Sequence, residues 1–134
     1  MNPKLLFLAF ALFLCSFRSV CQNFNTQDSL ALVDLYNATN GPGWVNHTNW
    51  LTAAPARTWF GVISYDSVRV NFLALPFNNL TGVLPASIAN FNASTGFDLA
   101  VNHLVGPLPS SLSNLSGVDM NLSQNQLKWS LAGL

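Results

Sequence analysis

Chemistry at a protein site needs side chains that ionise, attack or coordinate, and this chain of 134 residues carries few. Its acids are five aspartates, Asp28, Asp34, Asp66, Asp98 and Asp119, with no glutamate. Beside them stand two histidines, His47 and His103, and two cysteines, Cys15 and Cys21. Asp98 and Asp119 fall on neighbouring short strands and are the acids best placed to act as a pair, in the way a general acid and base would. Both lie near the exposed face of the strands, where solvated positions are the better reading, so no catalytic residue is assigned. His, Cys and Asp do not cluster at ligand spacings, so neither a metal nor another cofactor is expected. Gly41 and Gly43 flank Pro42 ahead of Trp44, which is turn chemistry and not a phosphate cradle. The residues therefore point away from an enzyme and towards a scaffold that binds.

The scaffold shows in a repeat. Leu73, Leu75, Asn78, Leu80, Gly82, Leu84, Pro85, Ile88 and Phe91 reappear 24 residues later as Phe97, Leu99, Asn102, Leu104, Gly106, Leu108, Pro109, Leu112 and Leu115. Every position keeps its chemical type at one offset, a period expected of stacked structural repeats. A partial third copy follows at Met120, Leu122, Asn125, Leu127 and Leu131, with Trp129 and Ala132 where glycine and proline stood before. Leu73 and Leu75 alternate with Phe72, Ala74 and Pro76, the period of a short strand with one buried face. Strands from successive copies then stack in parallel, with the leucines as an inner column. Asn78, Asn102 and Asn125 sit where the chain leaves each strand. An amide side chain both donates and accepts, so these three form a ladder that satisfies backbone groups the strand no longer pairs. Gly82 and Gly106 allow backbone angles that other residues resist. The segments after Pro85 and Pro109 read as short helical or 3₁₀ turns on the outer side.

The rest of the chain frames this repeat. Met1–Cys21 reads as a secretory signal: Lys4 in the charged region, an apolar run from Leu5 to Leu14 that is too short to span a bilayer, and Ser19 and Cys21 at the small-residue positions before Gln22. Without it, Arg57, Arg69 and Lys128 stand against five aspartates, a formal charge of −2. That is no footprint for nucleic acid or an anionic membrane. Both cysteines go with the leader, so the mature domain rests on packing and not on disulfides. Residues 22–67 form an N-terminal cap, with a helix over about 28–39 started by Thr26 or Asp28 and packed through Leu30, Leu32, Val33, Leu35 and Tyr36. Residues 43–64 carry Trp44, Trp50 and Trp59. They are either an aromatic sugar-binding platform or a lid over the first repeat, and the need to shield that repeat's leucines favours the lid. Trp59–Ile63 reads as a strand entering the sheet. The repeats cover 68–91, 92–115 and, in part, 116–134.

The segments Leu73–Pro85 and Phe97–Pro109 match the pattern LxLxxNxLxGxxP, with Phe97 for its first leucine. On these residues the chain resembles leucine-rich repeat proteins of the plant-like 24-residue class. The preceding SLALVDLYNATNGPGW block resembles the cap found in secreted microbial members, and it lacks the paired cysteines usual in plant caps. The resemblance implies an α/β solenoid: a right-handed coil with a short parallel sheet on its concave face, 3₁₀ turns on the convex side and a helical, Trp-rich cap. It implies a secreted, non-catalytic module that binds a protein, peptide or glycan on the concave face. The positions facing that way would be Phe72, Ala74, Phe77, Gly96, Asp98, Val101, Asp119, Asn121 and Gln124. The alternatives are an N-terminal ectodomain fragment of a receptor-like signalling protein, of the kind that can be linked to a kinase, or a truncated product without independent function. In a eukaryotic secretory pathway Asn92 and Asn114 would be the glycan acceptors among the Asn-X-Ser/Thr sites.

The third copy ends on apolar residues in mid-repeat, and a stacked array needs a closing cap. The mature chain alone is therefore expected to self-associate through that open repeat. Light scattering after size exclusion checks this, and a sharply melting monomer would contradict it.

Overall fold

The computed structural model describes residues 25–91, 96–115 and 117–128. The expected leader Met1–Cys21, the acceptor Asn92 and the stretch 129–134 of the third copy lie outside the described residues. Among the described residues no helix is long and apolar enough to cross a membrane.

One α-helix, α1, runs from Thr26 to Ala38. It begins two residues earlier than the sequence pattern implies because Asn25 is its cap, accepting from the Gln27 amide at 2.9 Å. The Asn25 N–H in turn donates to the Val68 carbonyl at 2.7 Å, which pins the helix start to the chain that leads into the first repeat. Ala31, Leu32, Leu35 and Tyr36 are buried, whereas Leu30, expected on the same face, is 52% exposed. Thr39 closes the helix with both its N–H and its hydroxyl on the Leu35 carbonyl, and Asn40 turns left-handed at φ 56°. This is the helix end that an asparagine before Gly-Pro-Gly permits.

Asp28 does not cap the helix at its surface. Its side chain has no exposure at all. Its Oδ2 accepts from the Val70 N–H at 2.8 Å, and an Arg69 terminal nitrogen lies 2.8 Å from its Oδ1. Arg69 also reaches the Asn90 carbonyl at 3.5 Å, so one cation links α1, the entry to the first repeat and the 3₁₀ turn Ala86–Asn90. Beyond α1, Trp44, Trp50 and Trp59 are buried in a ring cluster with Tyr36, with centroid spacings of 4.8–5.8 Å. The expected strand Trp59–Ile63 shrinks to β1, Val62–Ile63, because the 3₁₀ turn Ala56–Thr58 runs up to Trp59 and the Val62 N–H closes a further turn on the Trp59 carbonyl.

Two sheets follow. The first has the order β1-β2-β4-β6, with β2 at Phe72–Ala74, β4 at Gly96–Asp98 and β6 at Met120–Asn121. β1 is antiparallel to β2, and the remaining pairs are parallel. Leu73 stands opposite Phe97, and Phe97 opposite Met120, so the sequence repeat is also the strand register. The second sheet joins β3 (Thr81–Gly82), β5 (His103–Pro107) and β7 (Gln126–Lys128), again in parallel. It was not expected from the residues. Gly82, at φ 113°, supplies a turn no L-residue favours, and the Ala38 carbonyl packs where its Cβ would stand. The Thr81 N–H donates to the Thr39 carbonyl at 3.1 Å, so the helix end is part of this edge. The 3₁₀ turns Ala86–Asn90 and Ser110–Asn114 return the chain on the outer side, and α1 packs on the first of them. The result is a mixed α/β fold with parallel sheets and few helices. Leu73, Leu75, Leu80, Phe97, Leu99 and Leu104 form its dry centre, whereas their third-copy counterpart Met120 is 40% exposed.

Burial holds the Asp28 carboxyl above its usual range, against the opposing pull of the Val70 N–H and the Arg69 charge. A carboxyl raised on folding binds more protons folded than unfolded. Its contribution to stability is therefore complete below pH 3.8 and is lost as pH rises through the folded value. Asp28→Asn should remove this slope. In urea titrations from pH 3 upward, wild-type stability minus mutant stability should decline as pH increases.

Candidate functional site

The first sheet presents one face to the core and one to solvent, and the register sets what the outer face carries. One row across it runs Ile63, Phe72, Gly96, and a second runs Ala74, Asp98, Asn121. Ile63 is exposed; Phe72, Ala74 and Asp98 are half-buried; Asp119 and Asn121 are exposed. Gly96 is a correction. It lies in the expected row but is buried, because the Phe72 ring occupies the space above it: a Cβ there would come within 2.6 Å of Phe72 Cδ2. Gly96 thus offers no surface to a ligand and acts as the seat for Phe72.

Below these rows stand Phe77, Val101 and Gln124, all left-handed, at φ 53°, 55° and 54°. Such a conformation costs roughly 1–2 kcal/mol for an L-residue. It recurs at every copy, so it belongs to the turn and does not mark a strained reactive centre. The bend lets the amides of Phe77 and Val101 donate to Ala100 and Ser123 of the next copy at 3.1 and 3.0 Å. It leaves Phe77 71% exposed and Gln124 exposed, with Val101 half-buried.

The following residue is in each case a ladder asparagine. Asn102 Oδ1 accepts from the amides of Asn78 and Leu80 at 3.0 and 2.9 Å, and its Nδ2 donates to Leu75, Leu99 and Ala100 carbonyls at 2.9–3.1 Å. Asn125 repeats the pattern on Leu104, Leu99, Leu122 and Ser123. Asn78 faces the cap, where it both accepts from and donates to the Asn46 backbone at 2.7 and 3.0 Å. Asn46 is a partner that the sequence reading missed, since nothing in its flanking residues repeats.

The tryptophans do not form a sugar platform. Each Nε1 donates inside the protein, Trp44 to Thr39, Trp50 to Phe60 and Trp59 to Ala54, and each ring is buried. His47 is exposed in the cap beside Tyr36, and His103 is exposed on the second sheet, so neither joins the aspartates on the first. Among the described residues no group of three His, Cys, Asp or Glu is placed to hold a metal ion. Asp66 shapes the connection from β1 to β2: its carboxylate accepts from the amides of Arg69 and Val68, which hold it below the usual range. Asn114 is exposed at the end of its 3₁₀ turn.

Hollows open on both the outer face and the end of the described residues. A depression of about 270 Å³ lies on the outer face among Phe72, Phe97, Asp98, Asp119, Met120 and Asn121. A larger one of about 840 Å³ is lined by Leu108, Leu112, Leu122 and Leu127, among others. These are interior slots of the repeat, so the second hollow is the third layer of the core and not a built site.

The solved structure of PEPR1–AtPEP1, a plant leucine-rich repeat receptor with a peptide, is similar to this one. The TM-score is 0.64 and the identity 27%, over 77% of this chain and 15% of that one. A plant ice-binding protein matches at a TM-score of 0.60 and 20% identity, over 81% of this chain and 34% of that one, and shares the fold alone. The chain thus spans a minor part of either neighbour. The first likeness is compatible with a leucine-rich-repeat-like fold. No family model and no curated protein matches the chain.

The bonding pattern ranks the ladder. Asn102→Ala strands two buried amide donors and should cost about 2–5 kcal/mol. Asn125→Ala withdraws the acceptor of one described amide in a more open layer and should cost about 1–2 kcal/mol. Urea midpoints at constant m-value measure both.

Proposed function

We propose that this chain is a secreted, non-catalytic leucine-rich repeat module of the plant-like 24-residue class, wound as a right-handed solenoid, that binds a peptide or protein on the outer face of the four-stranded sheet. The observation that carries this reading is the division of labour within each copy. Leucines and the ladder asparagines are consumed by packing and inter-copy bonding, whereas the side chains of Phe72, Ala74, Phe77, Asp98, Val101, Asp119, Asn121 and Gln124 share one face, and the described side-chain hydrogen bonds of Asp98 and Asn121 stay within their own turn. Ile63 joins them from β1 at 39% exposure. The face is apolar beside the cap and acidic further along, a mixture suited to selective contact and not to bulk adhesion. The likeness to PEPR1, solved with AtPEP1, supports a peptide or protein as the partner class ahead of a glycan. The small share of PEPR1 that this chain covers favours a second reading, in which it is one part of a receptor-like ectodomain.

Arrayed peptides and glycans probed with residues 22–134 test the reading. Phe77→Ser should weaken any captured peptide at least about tenfold, on the scale of losing one apolar anchor. Val105→Ser on the second sheet should leave it unchanged. Loss of binding in both variants, or in neither, would count against the outer face of the first sheet.

A further inference from the structure

Resting on that reading, we propose that the depression among Phe72, Asp98 and Asp119 receives one basic side chain of the peptide, arginine in preference to lysine. The wall is aromatic and its place is set from below. Gly96 has no Cβ, so the Phe72 ring settles across the neighbouring strand and borders the hollow. Asp98 and Asp119 also line it. Asp98 is held in place by the Ala100 N–H, which donates to its Oδ1 at 3.2 Å. Met120 also lines the hollow and is half-exposed, giving an aliphatic stem something to lie against. A volume of about 270 Å³ admits one long side chain and little more.

Charge complementarity names the occupant. Among the described residues, the chain's own cations are placed elsewhere: Arg57 in the turn Ala56–Thr58, Arg69 on Asp28, and Lys128 on the second sheet. Neither Asp98 nor Asp119 meets a basic group among them. An aromatic face attracts a cation through its quadrupole, and carboxylates supply the full charge. Arginine fits better than lysine because its planar guanidinium stacks on the ring while its edge donates to carboxylate. A divalent ion is the poorer occupant. The third oxygen nearby, Asn121 Oδ1, already accepts from the Ser123 amide and hydroxyl at 3.3 and 2.8 Å.

Two random decapeptide pools test this by fluorescence polarisation with residues 22–134. One contains arginine; the other has citrulline in its place, which keeps the shape and removes the charge. Wild type should bind the arginine pool at least about tenfold more tightly, and that margin should shrink in 0.5 M salt, as screening requires. Asp98→Asn with Asp119→Asn should bind both pools alike, with an unchanged melting temperature because neither carboxylate carries a core bond. EDTA should change nothing. Equal binding of the two pools by wild type overturns this inference and leaves the peptide-binding reading standing. Binding of neither pool overturns both. A margin abolished by EDTA assigns the hollow to a metal ion instead.

Discussion

A chain that leaves a strand at the same point in every copy must bury amide groups that no neighbouring strand can pair. The side chains of Asn78, Asn102 and Asn125 meet that constraint, and the rest of the structure depends on it. An amide is the one short side chain that offers donor and acceptor from the same planar group. Asn102 uses both ends at once, holding two amides of the preceding copy and three carbonyls. Asn102 thus works mainly for the copy before it, and Asn125 divides its bonds between that copy and its own. The first has no copy before it, and Asn78 instead grips the Asn46 backbone, so the cap is attached by the same chemistry that joins copy to copy. The Trp44 indole and the Asp28–Arg69 pair then tie the cap to the helix and to the 3₁₀ turn Ala86–Asn90.

The ladder also shapes the outer face. To turn an asparagine inward, the residue ahead of it must bend, and Phe77, Val101 and Gln124 all take left-handed angles to do so. A glycine would bend more easily, yet none stands there. The strain is tolerated because the same bend delivers an inter-copy hydrogen bond from each described amide of the first two. It also raises the Phe77 side chain clear of the surface. A structural necessity thereby creates a protruding apolar group, and recognition can use it at no further cost in folding.

The repeat was legible because its slots differ in kind. Leucine, asparagine, glycine and proline at one spacing gave the register in which Leu73 meets Phe97, and the turns after Pro85 and Pro109 fell where the outer return was expected. What was not legible depends on neighbours distant in sequence. Asp28 and Val70 are 42 residues apart, and an aspartate in a first helical turn is ordinarily a dipole partner at the surface. Gly96 has the alternation of an exposed position, but alternation says which side a residue faces and not whether a ring from the next strand covers it. The second sheet pairs segments of only two to five residues; β5 and β7 do alternate in burial, but runs this short, starting at a two-residue β3, do not stand out from the turns around them. β1 shortened because residues 59–61, directly after the 3₁₀ turn Ala56–Thr58, form a further turn closed by the Val62 N–H on the Trp59 carbonyl, and Ile63 reached the face only through antiparallel pairing with Phe72.

Among the described residues, apolar side chains are exposed on the outer face of the first sheet, at Val83 and Val105 on or beside the second, at Tyr65 and Val68 in the β1–β2 connection, and at Leu30, Val45, Leu51 and Phe60 in the cap. Exposure alone does not choose among them, since every folded surface is largely apolar. Charge does. The second sheet carries His103 and Lys128, whereas Asp98 and Asp119 stand on the first, close to Phe72, with no described cation beside them. Unpaired like charges repel, and a fold gains nothing by placing two carboxylates at one hollow. Solvation makes the arrangement tolerable in the free protein, and a cation between them would turn the repulsion into attraction. The position where the chain's own interactions are least complementary is therefore the position where a partner's charge would have the greatest effect.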